Sequence, residues 1–193
     1  MIFSAGPTMR RAFATCSVQF RSPYPYVLAP VPSDPKASEL FGVKFATKSQ
    51  DPVEETTDPT TIIGWLKGDS VDLATVAVTD GTQIRPAQFV ENQRFWPHVE
   101  QVFRLHAHED PDLQAQAAFQ KNGWMNISDL RNPPPAGRTG EPEDIVGCVL
   151  VENKVIKRGS FQPNPVHRPA TSHGLFQLPK YLQARLVDQL ARH

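Results

Sequence analysis

Cysteine is nearly absent from this chain: Cys16 and Cys148 are the only two in 193 residues. Two thiols cannot build a disulfide-dense scaffold, so the fold must rest on an apolar core. Long apolar runs are missing too. None approaches the ~18–20 residues of a membrane-spanning helix, and a soluble chain is the expectation. There is no excess of charge, with 20 Lys+Arg against 20 Asp+Glu. That balance argues against a binder of nucleic acid by broad phosphate neutralisation. The sequence contains no Gly-x-Gly-x-x-Gly, no Gly-x-x-x-x-Gly-Lys-[Ser/Thr] and no Gly-x-Ser-x-Gly. Dinucleotide, P-loop and nucleophile-elbow chemistry therefore have no local signature here.

Acidic residues are missing from the N-terminus, where Asp34 is the first. Before it stand Arg10, Arg11 and Arg21 among Ser, Thr, Ala and Phe. Basic, hydroxyl-containing and acid-free is the composition of a mitochondrial transit peptide. On a helix, Met9, Phe13 and Val18 share one side and Arg10, Arg11 and Ser17 another, an amphipathic surface that cannot begin much before Pro7. Arg11-Ala12-Phe13-Ala14 resembles a matrix-processing pattern. The expectation is a transit peptide over residues 1–13, with about 21 as its outer limit, and a mitochondrial matrix location. No 7–15-residue apolar stretch follows the arginines, which disfavours a secretory signal. Without Arg10 and Arg11 the chain holds 18 basic against 20 acidic residues.

What is abundant is proline, at 19 residues, about twice the usual share. Seven of these lie in residues 22–60, where fixed φ and the extended bias of each preceding residue exclude regular helix. This span reads as an extended N-terminal arm with one short strand at 41–45. Residues 61–193 read as a single domain. Apolar, β-branched runs at 61–66 and 73–78 predict strands, with Asp80-Gly81 as a turn. Pro97 opens a helix whose inward stripe is Val99, Val102, Phe103 and His106. Asp110-Pro111 caps and starts a second, with Leu113, Ala117 and Ala118 inward and Asn122-Gly123 as its stop. Strands follow at 124–127, 145–151 and 155–157, separated by Pro/Gly-rich loops at 132–142 and 159–174. A last helix begins near Pro179, with Leu182, Leu186 and Leu190 on one face. The fold class expected is α+β: a small, largely antiparallel sheet packed by a central helix pair and a C-terminal helix.

Two clusters carry candidate chemistry. His106 and His108, two apart and followed by Glu109 and Asp110, offer imidazole and carboxylate ligands suited to zinc or iron. The string resembles the start of the His-x-His-x-Asp-His motif of metallo-β-lactamase-fold hydrolases. It departs from that motif at Pro111, in a segment patterned as helix. The alternative role is structural: histidines at a helix C-terminus and Asp110 as the next cap. The second cluster is a basic loop, Lys157, Arg158 and Ser160 continuing to His167, Arg168 and His173, with no acidic residue between Glu152 and Asp188. Its cations and hydroxyl suit a phosphate or carboxylate.

No nucleophile stands out. Cys148 lies between valines in a strand, the usual setting of a small buried hydrophobe. Glu141, Glu143 and Asp144 fall in a Pro/Gly loop that offers no desolvation. Trp65, Trp96 and Trp124 read as packing anchors. The function expected is therefore binding, as an accessory, assembly or regulatory partner of a larger mitochondrial complex, with no cofactor. The alternative is a small matrix enzyme or metabolite binder using the basic loop, with a histidine-based metal site.

Overall fold

A computed structural model describes residues 26–30, 40–45, 59–67, 86–135 and 137–192. The transit-peptide segment, much of the arm and the strand expected at 73–78 lie outside these residues.

Four strands form the first sheet: β1 (Tyr26–Pro30), β2 (Leu40–Phe45), β3 (Gly64–Lys67) and β4 (Phe89–Glu91), in that order and antiparallel throughout. The expected strand at 41–45 is there, and β1 of the arm pairs with it. Residues 61–66 are strand only from Gly64 onward; Pro59–Thr61 is a 3-10 turn, and Ile62 and Ile63 turn into the core. Gly64 is required by close approach, since a Cβ there would sit 2.2 Å from the Phe89 ring.

Helix α1 (Trp96–His106) has Pro97 in its first turn and buries Val99, Val102 and Phe103 of the stripe the spacing predicts, while His106, its fourth member, is only half-buried. A 3-10 turn at Ala107–Glu109 separates it from α2 (Pro111–Gln120). Leu113 and Ala117 of α2 are buried, while Ala118 is exposed. Its left-handed stop is Lys121 (φ 68°) followed by Gly123 (φ 103°) rather than Asn122. The cap of α2 is Asp110, whose Oδ1 accepts from the N–H groups of Asp112 and Leu113, both at 2.9 Å. Its Oδ2 is buried without a partner, and burial pushes the carboxyl pKa above its ordinary value despite those two bonds. Asp110→Ala removes the cap and is expected to cost about 1–2 kcal/mol in urea unfolding. Asp110→Asn keeps the Oδ1 acceptor and should cost less than half as much. Because the folded-state pKa is raised, ionisation of Asp110 lowers stability as pH rises past the unfolded value. Asp110→Asn should remove that slope.

The second sheet centres on β6 (Ile145–Glu152), paired antiparallel with β5 (Gly123–Ser128), β7 (Val155–Ile156) and β8 (Gln162–Pro163). Asn153 and Lys154, at φ 51° and 68°, make the tight turn into β7. Segments expected to share one sheet thus lie in two. The expected loop at 159–174 contains β8 and the start of a small hairpin, β9 (Ala170–Thr171) with β10 (Gly174–Leu175). Helix α3 (Lys180–Leu190) buries Leu182, Leu186 and Leu190 and packs on α1, with the Gln189 amide within 3.2 Å of His98 and 3.0 Å of Gln101. Among the described residues, one core joins the two four-stranded sheets and the three helices. It runs from Val43 and Leu66 through Phe95, Phe103 and Phe161 to Leu186. The class is α+β, and no helix among the described residues is long and apolar enough to cross a membrane.

Candidate functional site

The loops at one end of the second sheet are tied by a buried ionic knot. The side chains of Asp129, Arg131 and Asp144 are fully buried, and that of His167 nearly so. Arg131 donates Nε–H to Asp144 Oδ1 at 2.8 Å, and one terminal nitrogen lies 2.8 Å from the same oxygen. It also reaches the carbonyl oxygens of Glu143 at 3.0 Å and Gly174 at 3.4 Å. Asn132 donates to Asp144 Oδ2 at 2.8 Å. Asp129 Oδ1 accepts from the backbone N–H groups of Arg131 and Gln177, and Oδ2 lies 3.0 Å from His167 Nε2. Four separate chain segments meet here, and pairing of this completeness is what allows charges to be held without water. Asp144 is therefore buried, whereas its Pro/Gly neighbourhood suggests exposure.

The histidine pair is used differently. Nδ1 of His106 is 2.8 Å from Glu109 Oε2, and the Tyr181 hydroxyl donates to the same oxygen at 2.6 Å. These two bonds, that from Tyr181 first, hold the Glu109 carboxyl down to about 2. His108 Nε2 is 3.8 Å from Glu109 Oε1, and its Nδ1 is buried without a partner. Among the described residues, the group of three ligand-type side chains with donor atoms within 4.8 Å of one another is Glu141, Asp144 and His173. Both oxygens of Asp144 already accept from Arg131 and Asn132, so a cation there would compete with the knot's own donors.

The basic-loop residues fall at two places. The Lys157 ammonium pairs with Glu152 at 3.2 Å, and Ser160 Oγ donates to the Lys157 carbonyl at 2.6 Å while accepting from the Leu150 N–H. Arg158 is exposed. His167 belongs to the knot, the Arg168 N–H donates to the Glu143 carbonyl, and His173 Nδ1 lies 3.7 Å from Asp144 Oδ2. Leu150 lies near one end of β6 and Glu143 just before the other, at about 3.3 Å per residue along a strand. The six residues do not form one cradle. Burial pushes the Cys148 thiol pKa up, away from the thiolate a nucleophile requires.

One feature was not legible in the sequence: a groove of about 880 Å³ between α2, β5 and the proline loop. Phe119 is 87% exposed, Trp124 49% and Leu130 37%, and all three line it. Trp124 is thus a surface residue rather than a packing anchor. Strand alternation explains this, since Met125 and Ile127 face the core and Trp124 and Asn126 face away. Pro133, Pro134 and Pro135 form the opposite wall. Among the described residues β5 pairs only with β6, so no described strand covers its second edge, and it carries no charged residue or proline to block pairing.

Comparison with protein-family models, curated proteins and solved structures finds no match to this chain.

Proposed function

We propose that this is a mitochondrial matrix protein that acts by binding, as an accessory, assembly or regulatory partner of a larger complex. The observation that carries the reading is the groove: two aromatic side chains and Leu130 converge on it from α2, β5 and the following loop, with large exposed apolar area. Contiguous exposed apolar surface of this kind marks interaction sites. Its occupant is an extended, apolar segment of a partner protein. Such a segment adds a strand to the second edge of β5 through main-chain hydrogen bonds and seats alternate side chains against Trp124 and Phe119. The acid-free, arginine-bearing N-terminus supports the matrix address.

On native gels of mitochondria, the chain is expected to migrate with a large assembly, and the Phe119→Ser/Trp124→Ser variant to run free. Both positions lie on the surface, so the variant's unfolding midpoint should stay within about 0.5 kcal/mol of the parent. A parent chain found only as a free monomer, at or below the 21.5 kDa of the full sequence, or a folded variant that stays in the assembly, would overturn the reading.

A further inference from the structure

A second cavity, of about 290 Å³, lies between α1 and the β6–β8 region and shares no lining residue with the groove. Its floor is apolar: Val99, Val146 and Phe161 are all buried. Trp96 forms one wall, its ring edge-on to His167 at 5.2 Å between centroids. Glu91 and Glu100 also line it, and among the described residues no Lys or Arg does.

The polar groups facing this space have their donors already engaged. The Trp96 indole N–H donates to Glu91 Oε1. The Asn164 amide donates to the carbonyls of Pro142 and Ile145 at 2.7 and 2.8 Å. His167 has 4% of its side chain exposed, and its Nε2 is held by Asp129 at 3.0 Å. In the neutral ring, donation from Nε2 to the carboxylate leaves Nδ1 as a lone pair. Among the described residues Nδ1 makes no hydrogen bond, although the residue lines the cavity. Glu91 keeps Oε2. Among the described residues Glu100 meets only Arg104, at 3.7 Å across an exposed helix face, a weak pairing. Apart from the Gln93 amide, which offers either role, the available groups are acceptors, and two of them are anionic.

We infer that this cavity binds an alkyl cation rich in N–H donors, a guanidinium or primary ammonium on a short apolar stem. The charged head meets Glu91, Glu100 and His167 Nδ1, with the Trp96 ring beside it, and the stem lies on Val99, Val146 and Phe161. Charge-assisted hydrogen bonds and an aromatic wall are the usual means of holding such a head. The knot serves this site directly, because Asp129 fixes the orientation of the His167 ring. This inference stands apart from the docking of a partner in the groove and goes beyond it.

The test is titration calorimetry on the full chain with n-butylguanidinium, n-butylammonium and the neutral isostere n-butylurea. Saturable binding of the cations is expected, with the urea weaker by at least about tenfold. Glu91→Gln/Glu100→Gln retains the acceptor for Trp96 and is expected to weaken butylguanidinium by about tenfold or more. Its thermal midpoint should be unchanged. Butylurea binding as tightly as the cations, a variant of undiminished affinity, or no saturable binding of either cation would overturn the inference. A capped Gly-Arg-Gly peptide distinguishes the source. Binding tighter than butylguanidinium assigns the cation to a polypeptide side chain, and weaker binding assigns it to a free small molecule.

Discussion

Arg131→Met is expected to be among the most damaging single substitutions in this protein, lowering unfolding free energy by about 3–5 kcal/mol. The side chain is fully buried between two carboxylates, themselves fully buried. Its removal leaves Asp144 with only the Asn132 amide as a side-chain donor and strips a donor each from the Glu143 and Gly174 carbonyls. Uncompensated buried charge carries most of that cost, not the lost ion pair as such. Lysine would not substitute, because one ammonium cannot replace a fork that contacts Asp144 through two nitrogens while reaching two carbonyls. The same reasoning gives a non-additive result. Asp129→Asn/Arg131→Met/Asp144→Asn removes every formal charge of the trio and should be less destabilised than Arg131→Met alone. Urea unfolding of the three chains reads both quantities. A loss below about 1 kcal/mol for the single variant would show that the knot is solvated.

How much of this could be read beforehand follows from the range of the signals. The helices were legible because their information is local. Pro97, the Asp110-Pro111 cap and the leucines 182, 186 and 190 each mark a period or a boundary within a few residues. Strands β5 and β6 carry enough consecutive apolar residues to show themselves. The two-residue ladders β8, β9 and β10 do not, since no alternation can be seen in two positions. The knot was invisible for a different reason. It joins Asp129, Arg131, Asp144 and His167, whose side chains share no motif, and whose encounter depends on how two irregular loops close over the end of a sheet. His167 stands out in the sequence as part of a basic loop, but its partner Asp129 carries no such mark. Trp124 shows the limit of residue type as a guide: its burial is set by the parity of β5.

Fold and proposed sites meet at β6. One end of the strand is next to the knot, and Val146 forms part of the cavity floor. Its pairing with β5 orients Trp124 toward the groove. Distortion of β6 should therefore disturb both sites before it unfolds the chain, whereas substitutions at Phe119 or Glu100 should disturb only one.

Gly147 is where that distortion is easiest to introduce. A Cβ at this position would lie 2.4 Å from the Gln162 carbonyl oxygen and 2.6–2.7 Å from the Phe161 ring. Neither neighbour can withdraw freely. Gln162 belongs to β8, whose register opposite β6 pairs Gly147 with Pro163 and Cys148 with Gln162. Phe161 is stacked on Phe103 of α1 with ring centroids 4.7 Å apart. Gly147→Ala must push β8 off the sheet or tilt a buried ring, and overpacking of this type costs about 3 kcal/mol. In a chain of this size that corresponds to a fall in Tm of roughly 6–12 °C. Phe161→Leu added to Gly147→Ala relieves the ring contact and leaves the carbonyl contact, so it should recover only part of the loss. Its own cavity cost is measured from the Phe161→Leu single variant. A Gly147→Ala chain within about 0.5 kcal/mol of the parent would mean that β8 is not held against β6. Full recovery in the double variant, after that correction, would mean that the ring and not the strand sets the limit. Either result would place the rigid wall of the cavity elsewhere than at the β6–β8 ladder.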